Sequence, residues 1–375
     1  MKTSTCFFLA SLALAFGCAH APREGGAGPR TGPVVDPNAE PAEPQAPVGD
    51  TPHWNTEYYL GTRDQELAQF AEFARQIQEI QRTLAKNHDQ PISRGFHAKS
   101  HACLTGELHL DPHRNPRTRY GLFADGQGTK KVTVRFSNGV GFKQGDGDLD
   151  ARGLAVKVHG VEGPKYLPEE ADSQDFLMTN TPTPVGRDAV EFMEFARANT
   201  DGRLAALFFL VRRASTASIA LSRTGPIDSM VTERFWSGSA YHLGAHQAVK
   251  FQTRPCDLRL VRQPPHDGDD YLRKDLVAAA AKDGVCMRLY VQLQTDPEAT
   301  PIENASVEWK ESDSPLLPVA TIEMPPQVVD DSATAACDQL AFTPWHSIPA
   351  HKPMGHINRA RRYVYAASQA QRHAH

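Results

Sequence analysis

Between Arg63 and Lys86 the apolar residues Leu67, Phe70, Phe73, Ala74, Ile77, Ile80 and Leu84 fall on one stripe at helical period. Thr62 and Gln65 stand at its start in capping-box positions, so a long packed helix is expected. The period then changes. "KKVTVRFS" at 130–137 alternates, with Val132, Val134 and Phe136 on one face and Thr133, Arg135 and Ser137 on the other. The same reading predicts strands over 96–110, 152–160, 287–295 and 316–324, and helices over 186–199, 204–221, 273–284 and 356–372. Strands in mostly hairpin-like succession with helices appended predict an α+β fold around an antiparallel sheet or barrel.

The patterning starts late in the chain. Residues 1–21 carry one lysine, a ten-residue largely apolar run from Phe7 to Phe16 and then small residues, the form of a secretory signal peptide. "AFGC" at 15–18 resembles a lipoprotein box with Cys18 as the lipidated residue, and cleavage after "AHA" is the alternative. Export to a bacterial periplasm or outer membrane is therefore expected, with Cys18 as a membrane tether. Residues 22–52 hold eight prolines, five glycines and no aromatic residue, so they lack the apolar surface to order themselves and read as a linker. The folded domain is expected over 53–375.

Composition narrows the partners. With 40 Lys plus Arg against 44 Asp plus Glu in 375 residues, the net charge is −4, which gives no general attraction to nucleic acid. Cys103, Cys256, Cys286 and Cys337 are widely spaced, which excludes a zinc knuckle and permits disulfides.

Three stretches carry candidate chemistry. In "RGFHAKSHACL" (94–104), His97 and His101 would share a helix face, but the segment lacks the glutamate of a zinc motif and its alternation favours a strand. "GDGDLDARG" (145–153) spaces Asp146, Asp148 and Asp150 like a calcium loop, yet Ala151 and Lys157 stand where glycine and glutamate are needed, so an acidic turn is expected. In "NRARRYVY" Arg361 and Tyr365 are four apart, as are Arg359 and Tyr363. A guanidinium beside a phenol favours phenolate, which is an effective ligand for ferric haem.

Taken together and in order, "RGFHAKS", "VTVRFSNGVG", "DLDARGLAVKV", "DFLMTNTPTPVGRDAVEF", "SPLLPVATIEM", "DQLAFTP" and "RARRYVY" resemble the haem catalase superfamily, in its minimal catalase-related form, from about residue 90 to the end. The resemblance implies a catalase-like antiparallel β-barrel with surrounding helices and a C-terminal helix on the proximal side of a b-type haem. It implies His97 as distal acid and base, Ser137 orienting it, Tyr365 as iron ligand with Arg361 beside it, and Arg94 and Arg135 on the propionates. Phe192 would pack on the distal face and Asp150 would line the substrate channel. The family's distal asparagine falls on Thr179, with Asn180 one residue later, so either can serve. The channel valine falls on Gly139, which implies a more open distal side. The activity implied is that of a catalase or peroxidase acting on hydrogen peroxide or organic hydroperoxides. The alternatives are rearrangement of fatty-acid hydroperoxides, as in allene oxide synthases, and a catalytically weak haem-binding lipoprotein.

Overall fold

The computed structural model describes residues 58–59, 61–167, 172–213, 222 and 224–373. The expected signal peptide, Cys18 and the linker lie outside the described residues, as does 214–221 of the helix expected over 204–221.

Nine strands form one antiparallel sheet: β1 (Ser100–Leu110), β2 (Lys130–Asn138), β3 (Arg152–His159), β4 (Ser173–Thr179), β5 (Phe235–Trp236), β6 (Tyr241–His242), β7 (Ala248–Pro255), β8 (Val285–Leu293) and β9 (Leu316–Met324). They run β5-β4-β3-β2-β1-β9-β8-β7-β6, and pairing of β5 with β7 closes eight of them into a barrel with β6 outside the ring. Closure removes the free edges that an open sheet would expose.

Alternation sorts the barrel wall. Val132, Val134 and Phe136 of β2, Leu154, Val156 and Val158 of β3, and Phe176 and Met178 of β4 belong to the inner core, joined by Phe251 of β7 and Ile322 of β9. The intervening residues of β2 to β4 face outward. Across the wall, Ser137, Gly153 and Thr179 pair in one row, and Arg135, Ala155 and Leu177 in the next. Directly paired residues share a face.

Helices cover that outer face. Helix α1 (Arg63–His88), α2 (Ala189–Asp201) and α6 (Gly355–His373) pack through Phe70, Phe73, Ile77, Met193, Ala360 and Val364 into a second core. Thr62 caps α1 by accepting from the Gln65 amide, as its position predicts. α1 and α6 run side by side, tied at one end by Arg359 with Glu66 at 2.8 Å and farther along by Gln78 with the Ala367 carbonyl at 3.1 Å. Among the described residues three further helices are α3 (Arg203–Arg212), α4 (Tyr271–Lys282) and α5 (Asp331–Gln339).

Two disulfides, Cys103–Cys337 and Cys256–Cys286, use the four cysteines of the folded region. The first fastens α5 to β1. Strand structure was expected from residue 96, but β1 begins at Ser100, because His97 takes a positive φ of 60° that a strand cannot accommodate.

Candidate active site

The segment at 94–98 lies along the outer face of β2 and β3, where His97 meets Ser137, Asn138, Arg135 and Gly153. His97 holds its left-handed backbone because three bonds fix it: its amide donates to the Gly139 carbonyl at 2.8 Å, the Ala98 amide to the Val140 carbonyl at 3.0 Å, and Arg135 Nη2 to the His97 carbonyl at 2.9 Å. A non-glycine residue held there is strained, and such positions cluster at functional sites.

The ring is equally constrained. His97 Nδ1 lies 2.9 Å from the Asn138 carbonyl and 3.2 Å from Ser137 Oγ. A carbonyl only accepts, so Nδ1 carries the hydrogen and Nε2 keeps a lone pair. Burial, reinforced by the Arg135 charge, holds His97 down from 6.5 to about 4, so the imidazole is neutral at physiological pH. It is a base ready to accept a proton at Nε2.

Gly153 makes room for this ring. A Cβ built there would lie 2.4 Å from His97 Nδ1 and 2.7 Å from Ser137 Oγ. Gly153→Ala is therefore expected to destabilise the protein by about 1–3 kcal/mol through overpacking. At Gly147, where an added Cβ meets nothing within 4 Å, the same change is expected to be nearly neutral. Urea unfolding midpoints of the two variants check the contrast.

Arginines gather at one end of the site. Arg94 Nη2 donates to the Asp338 and Leu340 carbonyls, both at 2.8 Å, and Arg135 Nε to Asp338 Oδ1 at 3.0 Å. Burial holds Arg94 well below its usual value, and the charges of Arg135 and Arg372 push it further down. Arg372 is lowered by burial and then by Arg135. Three guanidiniums thus face one carboxylate, Asp338, among the described residues, which leaves two positive charges in excess. Buried charge of one sign fits a dianion with two carboxylates, the donor set of a haem's propionate edge.

At the proximal end Arg361 donates to Tyr365 Oη from Nη2 at 2.8 Å and from Nε at 3.2 Å, while its Nη1 donates to Asn358 Oδ1 at 3.0 Å. The phenol oxygen is held as an acceptor, the role a ferric ion requires of it. The other pair of the same spacing separates: Arg359 binds Glu66 and Glu303, and Tyr363 packs on Phe70 at 5.6 Å. Arg361 is among the charges that depress His97, and Tyr365 among the groups that act on Arg94, so the 94–97 segment and α6 lie in one neighbourhood. Half-buried Phe192 leans against Phe96 at 5.1 Å on its flank.

Thr179 and Asn180 part company. Asn180 is buried, its Oδ1 accepting from the Arg152 amide at 2.8 Å and its Nδ2 donating to Glu233 at 3.2 Å. Thr179 shares the outward row with Ser137 and Gly153, on the face where His97 sits. Gly139 does not open the channel. A Cβ there would lie 2.8 Å from Asp150 Oδ1, so the Asp150 carboxyl already fills the space a larger side chain would take. Burial raises that carboxyl to about 6.

The rival metal readings are absorbed by structure. His101 Nε2 meets Asn138 Oδ1 at 2.9 Å, and Asp146 takes Lys99 at 2.7 Å and the Leu272 amide at 2.9 Å. Among the described residues no cluster of three or more His, Cys, Asp or Glu side chains is placed to hold a metal ion. Sequence reasoning passed over Gly153, Asp338 and Arg372. For Arg372 the available signal was its place seven residues after Tyr365, two turns along the same helix face.

No protein-family model matches the chain, and no curated protein matches it by sequence. Solved structures do. A fungal catalase superposes with a TM-score of 0.62 at 21% identity, covering 76% of this chain and 61% of its own. Catalase A from Saccharomyces cerevisiae gives 0.63 at 20% identity, covering 76% and 62%. A bacterial catalase gives 0.60 at 21% identity over 94% of this chain and 67% of its own. The fold is catalase-like, and the chain spans about three fifths of the fungal and yeast proteins' length.

Proposed function

We propose that this chain binds a b-type haem between the outer wall of β2–β4 and α6, and uses it to react with peroxides. The observation that carries the reading is the pairing, within one site, of a neutral His97 with a free Nε2 and a Tyr365 oxygen gripped by Arg361. The surplus charge of Arg94, Arg135 and Arg372 supports it, since the two propionates would balance that surplus. Catalases of the same fold are its structural neighbours.

When bound, the haem iron supplies the redox chemistry that breaks the O–O bond. The chain's part would be to relay the peroxide's own proton. His97 Nε2 accepts the proton of the incoming peroxide's inner oxygen and returns it to the outer one, so that oxygen leaves as water or alcohol rather than as an anion. Ser137 and the Asn138 carbonyl keep the ring in the required tautomer. Thr179, in the outward row beside His97, is the better placed of the two to hydrogen-bond the peroxide once its hydroxyl turns from Thr181, whereas Asn180 is held by Arg152 and Glu233. A hydroxyl in place of an amide is consistent with slower hydrogen peroxide disproportionation, which keeps the weak haem-binding lipoprotein in play.

Purified protein expressed with ample haem is expected to show a tyrosinate-type ferric spectrum and to consume peroxide. Failure to take up haem would refute the reading. Rates on hydrogen peroxide and on a fatty-acid hydroperoxide separate the catalase or peroxidase reading from the rearranging one, which lost its Gly139 support. Export is part of the same proposal, supported by the two disulfides, which persist in oxidising compartments.

A further inference from the structure

Tyr241 carries a buried hydroxyl that the fold does not use. The side chain is 1% exposed, and its ring packs against Phe251 of the inner core at 5.2 Å. Among the described residues its Oη makes no hydrogen bond of good geometry. A buried polar group without a partner costs stability, so a phenylalanine would serve the packing alone better. Burial favours the neutral phenol, so the oxygen keeps its hydrogen.

The surroundings of that hydroxyl indicate its use. β6, which carries Tyr241, is stitched to the start of α6. The Ala240 carbonyl accepts from the Met354 amide and from Asn358 Nδ2, both at 2.9 Å, and the His242 amide donates to the Lys352 carbonyl at 2.8 Å. Asn358 Oδ1 in turn accepts from Arg361 Nη1 at 3.0 Å, so one amide side chain ties the residue before Tyr241 to the guanidinium that grips Tyr365. Arg361 is among the charges that act on Tyr241, and Tyr241 stands with Tyr365 among the groups that favour the Arg361 charge. Of the five N–H groups of a guanidinium, Arg361 uses two on Tyr365 and one on Asn358, so two remain beyond these bonds.

We propose that Tyr241 is a positioning residue for the candidate iron ligand Tyr365, acting through Arg361. An oxygen that lends a lone pair to iron has less left for two N–H donors, and a donor turned away from it inside the protein needs another acceptor. The Tyr241 oxygen is that acceptor. With the donor satisfied, Arg361 stays over Tyr365 and favours the ionised, ligating form of its phenol. The inference rests on the haem reading and adds to it a residue from the opposite end of the barrel sheet.

The test is Tyr241→Phe in the full chain, which removes the hydroxyl and keeps the ring. In the haem-free protein the urea midpoint is expected to stay level or rise, because no bond of the fold is lost. In the haem-loaded protein, transfer of haem to excess apomyoglobin is expected to quicken about fivefold, the worth of one hydrogen bond of ordinary strength, and the tyrosinate band is expected to move. Phe251→Leu, which loosens the packing of the same ring and leaves the hydroxyl, is expected to lower the midpoint with the band in place. Unchanged transfer and an unmoved band in Tyr241→Phe overturn the inference and leave the haem reading standing. A band that moves equally in Phe251→Leu, or a lower midpoint in haem-free Tyr241→Phe, also overturns it, since Tyr241 would then act through the fold alone. Unmodified protein that takes up no haem overturns both.

Discussion

His97→Ala lowers the rate constant for reaction with hydrogen peroxide by about 10²–10⁴-fold, the usual worth of a positioned acid and base. Cofactor content stays the same, since His97 contributes no bond to the arginine cluster except through its backbone carbonyl, which alanine keeps. In the unmodified protein the rate stays level as pH falls from neutrality and drops by half near pH 4, where His97 takes up a proton and can no longer accept one. Stopped-flow measurement on both proteins checks this. A variant keeping more than a tenth of the rate, or a break near 6.5, sinks the assignment. Far-UV circular dichroism belongs in the same buffers, because acid also weakens the fold. His97, His101, His351 and His356 are each held down to about 4 by burial. As pH falls from 6.5 towards 4 the unfolded chain therefore binds protons that the folded chain refuses, and stability is lost across that window.

Tyr365→Phe has the other large effect. It removes the candidate iron ligand and deprives the buried Arg361, whose charge is favoured by Tyr365 and Tyr241, of the acceptor of two of its N–H donors. Haem retention through gel filtration is expected to fall at least tenfold, and any haem that stays is expected to lose the tyrosinate spectrum. Loss of the charged hydrogen bonds costs about 1.5–3 kcal/mol in addition. Tyr363→Phe is the control. Its ring packs on Phe70, so the variant is expected to keep its haem and spectrum. An unaltered spectrum in Tyr365→Phe would remove the haem reading altogether.

How far these residues could be read in advance depends on the scale of the feature. The wall of the barrel was legible where alternation is long, as in β2, β3, β8 and β9, because inward Val, Leu and Ile repeat against outward polar residues. β5 and β6 are two residues each and leave no period to find. β7 alternates too, but its outward Lys250 and Gln252 are themselves buried, so no solvent-facing side marks it out. The spacing of Arg361 and Tyr365 offered the same pattern as Arg359 and Tyr363. Only the acidic partners Glu66 and Glu303, hundreds of residues or dozens of residues away, decide between them. Likewise, which of Thr179 and Asn180 shares the row of Ser137 and Gly153 is set by strand register, which a one-residue shift inverts.

The clamp around Arg94 and Arg135 also fixes an order in time. Arg94 and His97 leave the ribosome early, while Asp338, Arg361 and Tyr365 are made near the end, and Cys103 must wait for Cys337, 234 residues later. At about 5–20 residues per second that interval is roughly 12–47 s. Through it the growing chain has its base but neither its counter-ion nor its phenol. If a haem is held as proposed, it can be captured only once the last helix has been synthesised, so loading would be a late event, and a chain cut short by even a few helical turns is expected to be born empty.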